Sequence, residues 1–318
     1  MLTELGPYIG PAAGVATAIL WSATSLFFTA AGHRIGPTFV NATRILFATV
    51  FHAVTFRLLT GNWMPDMLAG QVLYLAVSGF IGLSLGDQAL FTAFVDVGPR
   101  LAMLIMATSP LFAAFFGWVV LGETLRGLAW VGVTCVMAGV AWVVLERPKD
   151  TLGSHHKHRV RGIVCAAIGA ACQAGGLLLS KQGIGHGWLP ADQHMSAQAA
   201  TLVRVAFGGV GMVPILAVYW GRERSRRVAG LIPDRAGSVR VGVLLTVAGA
   251  VVGPYLGVWM SLVASDRAPL GVAQTLCSMV PIFVLPFSVL VFKERVSPRA
   301  IIGAFLAVEG SALLFLPT

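Results

Sequence analysis

Charge is scarce in this chain. Only 11% of its 318 residues are charged, 57% are hydrophobic, and acidic residues number 13 against 22 Lys and Arg. A soluble domain carries roughly 25% charged residues, so a mean hydropathy of +0.82 excludes an ordinary soluble fold. The charges that do occur crowd into short segments between long apolar runs. The net charge of +9 therefore reads as a membrane topology signal, and no basic face with interleaved aromatics points to nucleic acid. Cysteines are few as well. Cys135, Cys165, Cys172 and Cys277 all fall inside apolar segments at no ligand-like spacing, so they read as small hydrophobes and define neither a metal site nor a redox compartment. A Gly-rich phosphate loop followed by Lys and Ser or Thr is missing, which argues against a nucleotide-driven pump. The segment Met1 to Pro11 holds Glu4 and no Lys or Arg. It lacks the basic start of a cleavable signal peptide, so the first apolar run is expected to stay as a span.

What is present is repetition. Pro110, Glu123, Gly132 and Gly139 recur 171 residues later as Pro281, Glu294, Gly303 and Gly310, and Gly82 and Gly86 recur as Gly253 and Gly257. Period-two alternation of a β-barrel is not seen, and a helix needs about 20 apolar residues to cross the hydrocarbon. The runs predict an all-α polytopic membrane protein of ten helices, near 12–32, 38–59, 70–93, 97–121, 127–145, 162–182, 196–220, 239–263, 269–292 and 298–316. They divide as a first five-helix repeat over 1–147, a polar, basic and His-rich linker over 148–161, and a second repeat over 162–318. A duplicated unit with an odd number of spans enters the bilayer in opposite senses, as carriers with inverted repeats do. Loops on the side of the termini hold four Lys or Arg against sixteen on the other side, which predicts both termini outside the cell, although the first half alone is evenly split.

Within the spans, Ser78, Gly82 and Gly86 match Gly249, Gly253 and Gly257, a small-residue face that suits close helix packing. The two faces are expected either to pack statically or to meet, or line the path, near the axis relating the halves. Pro110 and Pro281 fall near the centres of the fourth and ninth spans, as kinks that free backbone carbonyls. A charge near the bilayer centre costs about 2.5 to 3.5 kcal/mol on insertion scales, so Arg44, Asp87, Arg204 and Glu309 are the candidate solute or ion pathway. Asp87 or Glu309 would carry a coupling proton, and Arg44 and Arg204 would gate the path or bind an anionic group. The other reading has the arginines snorkelling to an interface and pairing statically with a loop carboxylate. Gln88, Gln173 and Gln274, with Asn41, add hydrogen-bonding groups to a cavity or join neighbouring helices. His155, His156 and His158 read as a solvated linker with no metal-ligand spacing. Trp63, Trp188 and Trp220 lie near span ends, where interfacial aromatics anchor helices.

The stretch from Ser109-Pro110-Leu111-Phe112 through Leu121-Gly122-Glu123 to Trp130, Gly132 and Gly139-Val140, repeated at Val280-Pro281-Ile282-Phe283, Glu294, Gly303 and Gly310, resembles the EamA-type repeat of the drug/metabolite transporter superfamily. The resemblance covers nearly the whole chain. It implies ten helices in an inverted five-plus-five arrangement, no cofactor, and secondary transport of a small metabolite or drug-like solute, often export, across the plasma or inner membrane. Two departures stand out: Lys293 replaces the glycine before the repeated glutamate, and the charge count differs from members with cytoplasmic termini. Glu123 and Glu294 lie at hairpin ends beside Arg126 and Arg295 and read as turn-fixing residues. Two alternatives are an intramembrane lipid-modifying enzyme, for which the charged residues are too scattered, and a non-transporting assembly or sensor subunit.

Overall fold

Glycine followed by proline marks where this chain turns. Gly36 (φ 84°) ends the first helix and Pro37 opens the second, and Gly98 (φ 79°) with Pro99 makes a similar break as a sharp kink inside the helical segment Asp87–Met106. A positive φ suits glycine alone, and proline is tolerated in a first helical turn because its missing N–H has no partner there. The computed structural model describes residues 6–121, 127–144, 158–186, 189–190, 194–228, 236–268, 270–292 and 297–313. Among these residues every regular element is helical. In chain order they are α1 Gly6–Ile35, α2 Pro37–Thr60, α3 Ala69–Gly79, α4 Asp87–Met106, α5 Ser109–Leu121, α6 Gly127–Val144, α7 Arg159–Ile184, α8 Ala197–Val228, α9 Ala236–Ala250, α10 Val258–Arg267, α11 Leu270–Cys277, α12 Val280–Phe292 and α13 Pro298–Leu313. The turns at Glu123 and Glu294, with Lys293, Arg126 and Arg295, lie outside the described residues, as do His155, His156 and Trp188.

Six described stretches are long and apolar enough to cross a membrane: Tyr8–Ile35, Pro37–Thr60, Ala69–Met106, Arg159–Ile184, Ala197–Gly221 and Val239–Arg267. Two differences from the sequence reading concern the helix breaks. Wider π-helical turns at Phe80–Gly86 and Val251–Gly257 join α3 to α4 and α9 to α10. They sit 171 residues apart and coincide with the repeated glycines. Each inserts extra backbone into a helix, a feature that often marks functional sites. Secondly, Pro110 and Pro281 do not kink continuous helices. Each is the second residue of a new helix, α5 or α12, after turns at Ala107-Thr108 and Ser278-Met279 that tighten to i→i−3 hydrogen bonds. The physical reason is that proline clashes with the preceding turn of a continuing helix but costs little in the first turn of a fresh one.

The small-residue faces pack closely, but they do not meet each other. A Cβ on Gly86 would lie 2.6 Å from Cys172 Cβ of α7, and one on Gly253 would lie 2.7 Å from Thr24 Oγ1 of α1. Each face thus packs on the first helix of the opposite half. Hydroxyls reinforce both crossings: Ser78 donates to the Gly176 carbonyl at 2.5 Å, and Thr24 to the Gly249 carbonyl at 2.8 Å. At the far end of the chain α13 crosses α6 just as closely, with Gly139 facing the Gly303 carbonyl and Gly310 the Val136 amide.

Candidate functional site

The breaks before Pro110 and Pro281 bring non-helical backbone to one place in the bundle. A narrow cleft of about 20 Å³ there is lined by Trp21, Met103, Met106, Ala107, Ser109, Gln173, Gln274, Cys277, Ser278 and Val280. Eight of these ten form four pairs related by the 171-residue repeat: Met103 with Gln274, Met106 with Cys277, Ala107 with Ser278, and Ser109 with Val280. The remaining two, Trp21 and Gln173, come from α1 and α7, the first helix of each half. Both sequence repeats therefore supply equivalent positions to one cleft. Gln274 Nε2 donates to Ser109 Oγ at 2.7 Å and ties the two helix breaks together across it.

Beside the cleft lies a polar centre. Cys172, the neighbour of Gln173, packs on Gly86, and Asp87 follows immediately. Arg44 of α2 forms an ion pair with Asp87 through Nη2 and Oδ2. Its Nε and Nη2 also donate to Asn41 Oδ1 at 3.0 and 2.9 Å, and its guanidinium lies 4.7 Å from the centre of the Phe91 ring. Asn41 in turn donates to the Leu83 and Ser84 carbonyls at 3.3 and 3.4 Å. Both carbonyls belong to the first π-helical turn, where the wider backbone spacing makes acceptors available. Arg204 of α8 is only 1% exposed, near enough to Asp87 to interact with its charge, and packs between Gly82 and Gly176. Its Nε and Nη2 have no hydrogen-bond partner among the described residues. One carboxylate thus pairs with Arg44 while a second guanidinium is buried nearby without a hydrogen-bond partner for its Nε and Nη2, two formal positive charges against one negative in a low-dielectric setting.

The sequence places Arg44 and Arg204 at similar positions in their halves; in three dimensions they do not mirror one another but converge on the same π-helical turn. The second turn is faced instead by His52, whose Nε2 lies 3.2 Å from the Pro254 carbonyl, and by Thr55, 2.7 Å from the Tyr255 hydroxyl. His52 carried no sequence signal beyond its place in an apolar run. Gln88 joins helices, donating to Thr38 Oγ1 at 2.9 Å. Gln173 and Gln274 line the cleft. Glu309 is left out of the centre, exposed on α13 beside exposed Phe305. Trp63 is exposed just past the end of α2, and Trp220 is exposed inside α8 at the end of its apolar stretch Ala197–Gly221.

Two related helical halves that jointly line a cleft, with paired charges buried between long apolar helices, define a helical membrane protein of the internally duplicated type. A family model described as "EamA-like transporter family" matches twice, over residues 8–145 and 160–316. The chain belongs to that family, within the drug/metabolite transporter superfamily, and is an integral membrane protein. A solved structure described only as "Crystal structure of protein" is similar at 18% identity with a TM-score of 0.62, over 96% of this chain and 95% of that one. That likeness concerns the fold. No curated relative matches the chain at a significant level.

Proposed function

We propose that the protein is a secondary carrier that moves a small solute, in the export direction, by alternating access to the cleft between its halves. The single observation that carries this reading is the lining of the cleft by residues paired through the sequence repeat. Such pairing gives either half an equivalent grip on a solute and an equivalent hinge beside it. The helices are grouped as ten spans, five in 1–147 and five in 162–318, oppositely inserted in the plasma or inner membrane with the 148–161 linker between them. In each half the span broken at Ala107-Thr108 or Ser278-Met279 counts once.

The excess positive charge of Arg44, Asp87 and Arg204 suits a solute or coupling species that brings a negative group, or a proton that Asp87 accepts and releases. Gln173, Gln274 and Ser109 supply the neutral hydrogen bonds. A non-transporting assembly or sensor subunit would need no such paired cleft.

The test is flux in proteoliposomes of purified protein, using solutes that first raise its melting temperature, since a ligand bound only by the folded state stabilises it. Gln274→Leu is expected to lower solute affinity tenfold or more while leaving the melting temperature of the solute-free protein within a few degrees. Stabilising solutes that show no flux in either direction would contradict the carrier reading.

A further inference from the structure

α7 has a side-chain cluster at each end. At its start, Arg161 makes a two-pronged ion pair with Asp96, both contacts 2.7 Å. At its other end, 26 residues or about 39 Å away, the cluster has different chemistry. His186 Nε2 and His194 Nε2 each lie 2.9 Å from the same oxygen, Asp266 Oδ1, and the two rings are 5.4 Å apart, edge to face. The three ligand atoms lie within 4.8 Å of one another. We propose that His186, His194 and Asp266 bind a divalent transition-metal ion of the zinc class at this face of the membrane.

The donor set is two imidazoles and one carboxylate, the set zinc takes in open three-ligand sites with a fourth position left for water. A metal–ligand distance of about 2.0 Å at the tetrahedral angle puts ligand atoms about 3.3 Å apart. The two His–Asp separations of 2.9 Å need to open by a few tenths of an ångström, and the two ring nitrogens, within 4.8 Å of each other, need to close by up to about 1.5 Å. The backbone holds the residues in place. Gly185 (φ 111°) ends α7, with the Gly185 amide bonded to the Gln182 carbonyl at 3.0 Å and the His186 amide to the Lys181 carbonyl at 3.2 Å. The Met195 amide then closes back on the Ile184 carbonyl at 2.8 Å. Both histidines are therefore fixed at the base of one loop, directly over the last turn of α10.

Access is adequate, because His194 is half exposed while Asp266 is 9% exposed. Arg267 holds the other carboxylate oxygen, Nε to Oδ2 at 3.3 Å, and leaves Oδ1 to the rings; Lys181 is engaged with the Ala268 carbonyl at 3.4 Å. These cations temper the affinity and favour ligands that are neutral imidazoles. A metal bound at the two Nε2 atoms takes the place of the contacts they now make with Asp266 Oδ1. A bound ion would fasten the loop after α7 to the end of α10. Leu189 of that loop already abuts Gly70 at the start of α3, and Gly10 of α1 abuts the Arg267 backbone. The metal would thus brace elements of both halves at this end of the bundle. The site does not depend on the carrier reading and is testable without it.

The test uses tag-free, full-length protein titrated with cobalt(II) chloride and followed by visible absorption, then back-titrated with zinc sulfate. The expected result is one equivalent of cobalt with the absorption bands of a low-coordinate site, displaced by zinc. His186→Gln/His194→Gln and Asp266→Asn should each weaken binding tenfold or more, whereas His155→Gln/His156→Gln/His158→Gln in the linker should leave it unchanged. If the double variant does not fold, His194→Gln alone, at the half-exposed position, is expected to give the same loss. No cobalt bound, binding unchanged without His186 and His194, or binding lost in the linker variant would each overturn the proposal.

Discussion

Replacing Asp87 with alanine is expected to destabilise the protein by about 3 to 5 kcal/mol, the range for breaking a buried ion pair and leaving its partner charge uncompensated. Here the loss is compounded, because Asp87 is the carboxylate for Arg44 and the nearest counter-charge to Arg204. Transport should stop in the same variant. Arg204→Met should behave in the opposite way. It removes a buried cation whose Nε and Nη2 lack partners and substitutes an apolar chain of similar length, so its melting temperature should equal or exceed that of the unaltered protein. Thermal unfolding in detergent distinguishes the two. If Asp87→Ala and Arg204→Met destabilise equally, Arg204 is not the unpaired buried cation described.

Gly79→Val is expected to be the most damaging change at a helix crossing. A Cβ at Gly79 would sit 2.1 Å from the Arg204 carbonyl oxygen and 2.9 Å from the Gly208 amide nitrogen. Both are backbone atoms that no side-chain rotation can move. The chain responds by parting α3 from α8, which also loosens Gly211 against Ser84 and the seat of Arg204. Overpacking costs about 1 to 3 kcal/mol, occasionally more, and this case belongs at the upper end. Gly221→Ala is the contrast, because nothing lies within 4 Å of a Cβ placed there. In a helix, replacing glycine with alanine gains up to about 1 kcal/mol, so that variant should melt at the same temperature or higher. Equal losses in the two variants would mean that close approach is not what glycine supplies at position 79.

How much of this was legible in the sequence depends on the range of the interaction. The repeat was legible, because it needs only residue identity at a fixed spacing, and the family match covers both copies. Long apolar runs marked the helices. The π-helical turns were not foreseen even though Gly82, Gly86, Gly253 and Gly257 mark them: widening of a helix changes no hydrophobic period, and a small-residue face looks the same in either form. The partners of those faces were missed for a related reason. Similarity between halves suggests that like meets like, but each face packs on the first helix of the other half, a choice set by how the bundle closes. Arg44 and Asp87 were legible as expensive intramembrane charges. That Arg204 joins them, while Glu309 stands apart, depends on helix rotation and depth. His186, His194 and Asp266 were invisible, since Asp266 lies 80 and 72 residues along the chain from the two histidines.

The central claim is that both halves enclose one solute pathway through the cleft, open to each side of the membrane in turn. It is tested most directly by single cysteines at the repeat-related positions Ala107 and Ser278, in a protein whose Cys135, Cys165, Cys172 and Cys277 have been replaced. The measurement is labelling by a membrane-impermeant maleimide applied to vesicles of known orientation from one face or the other. Both positions are expected to label from either face, at rates that a stabilising solute lowers in parallel. Labelling of both from one face only, or of neither from either face, in protein that still transports would contradict the account.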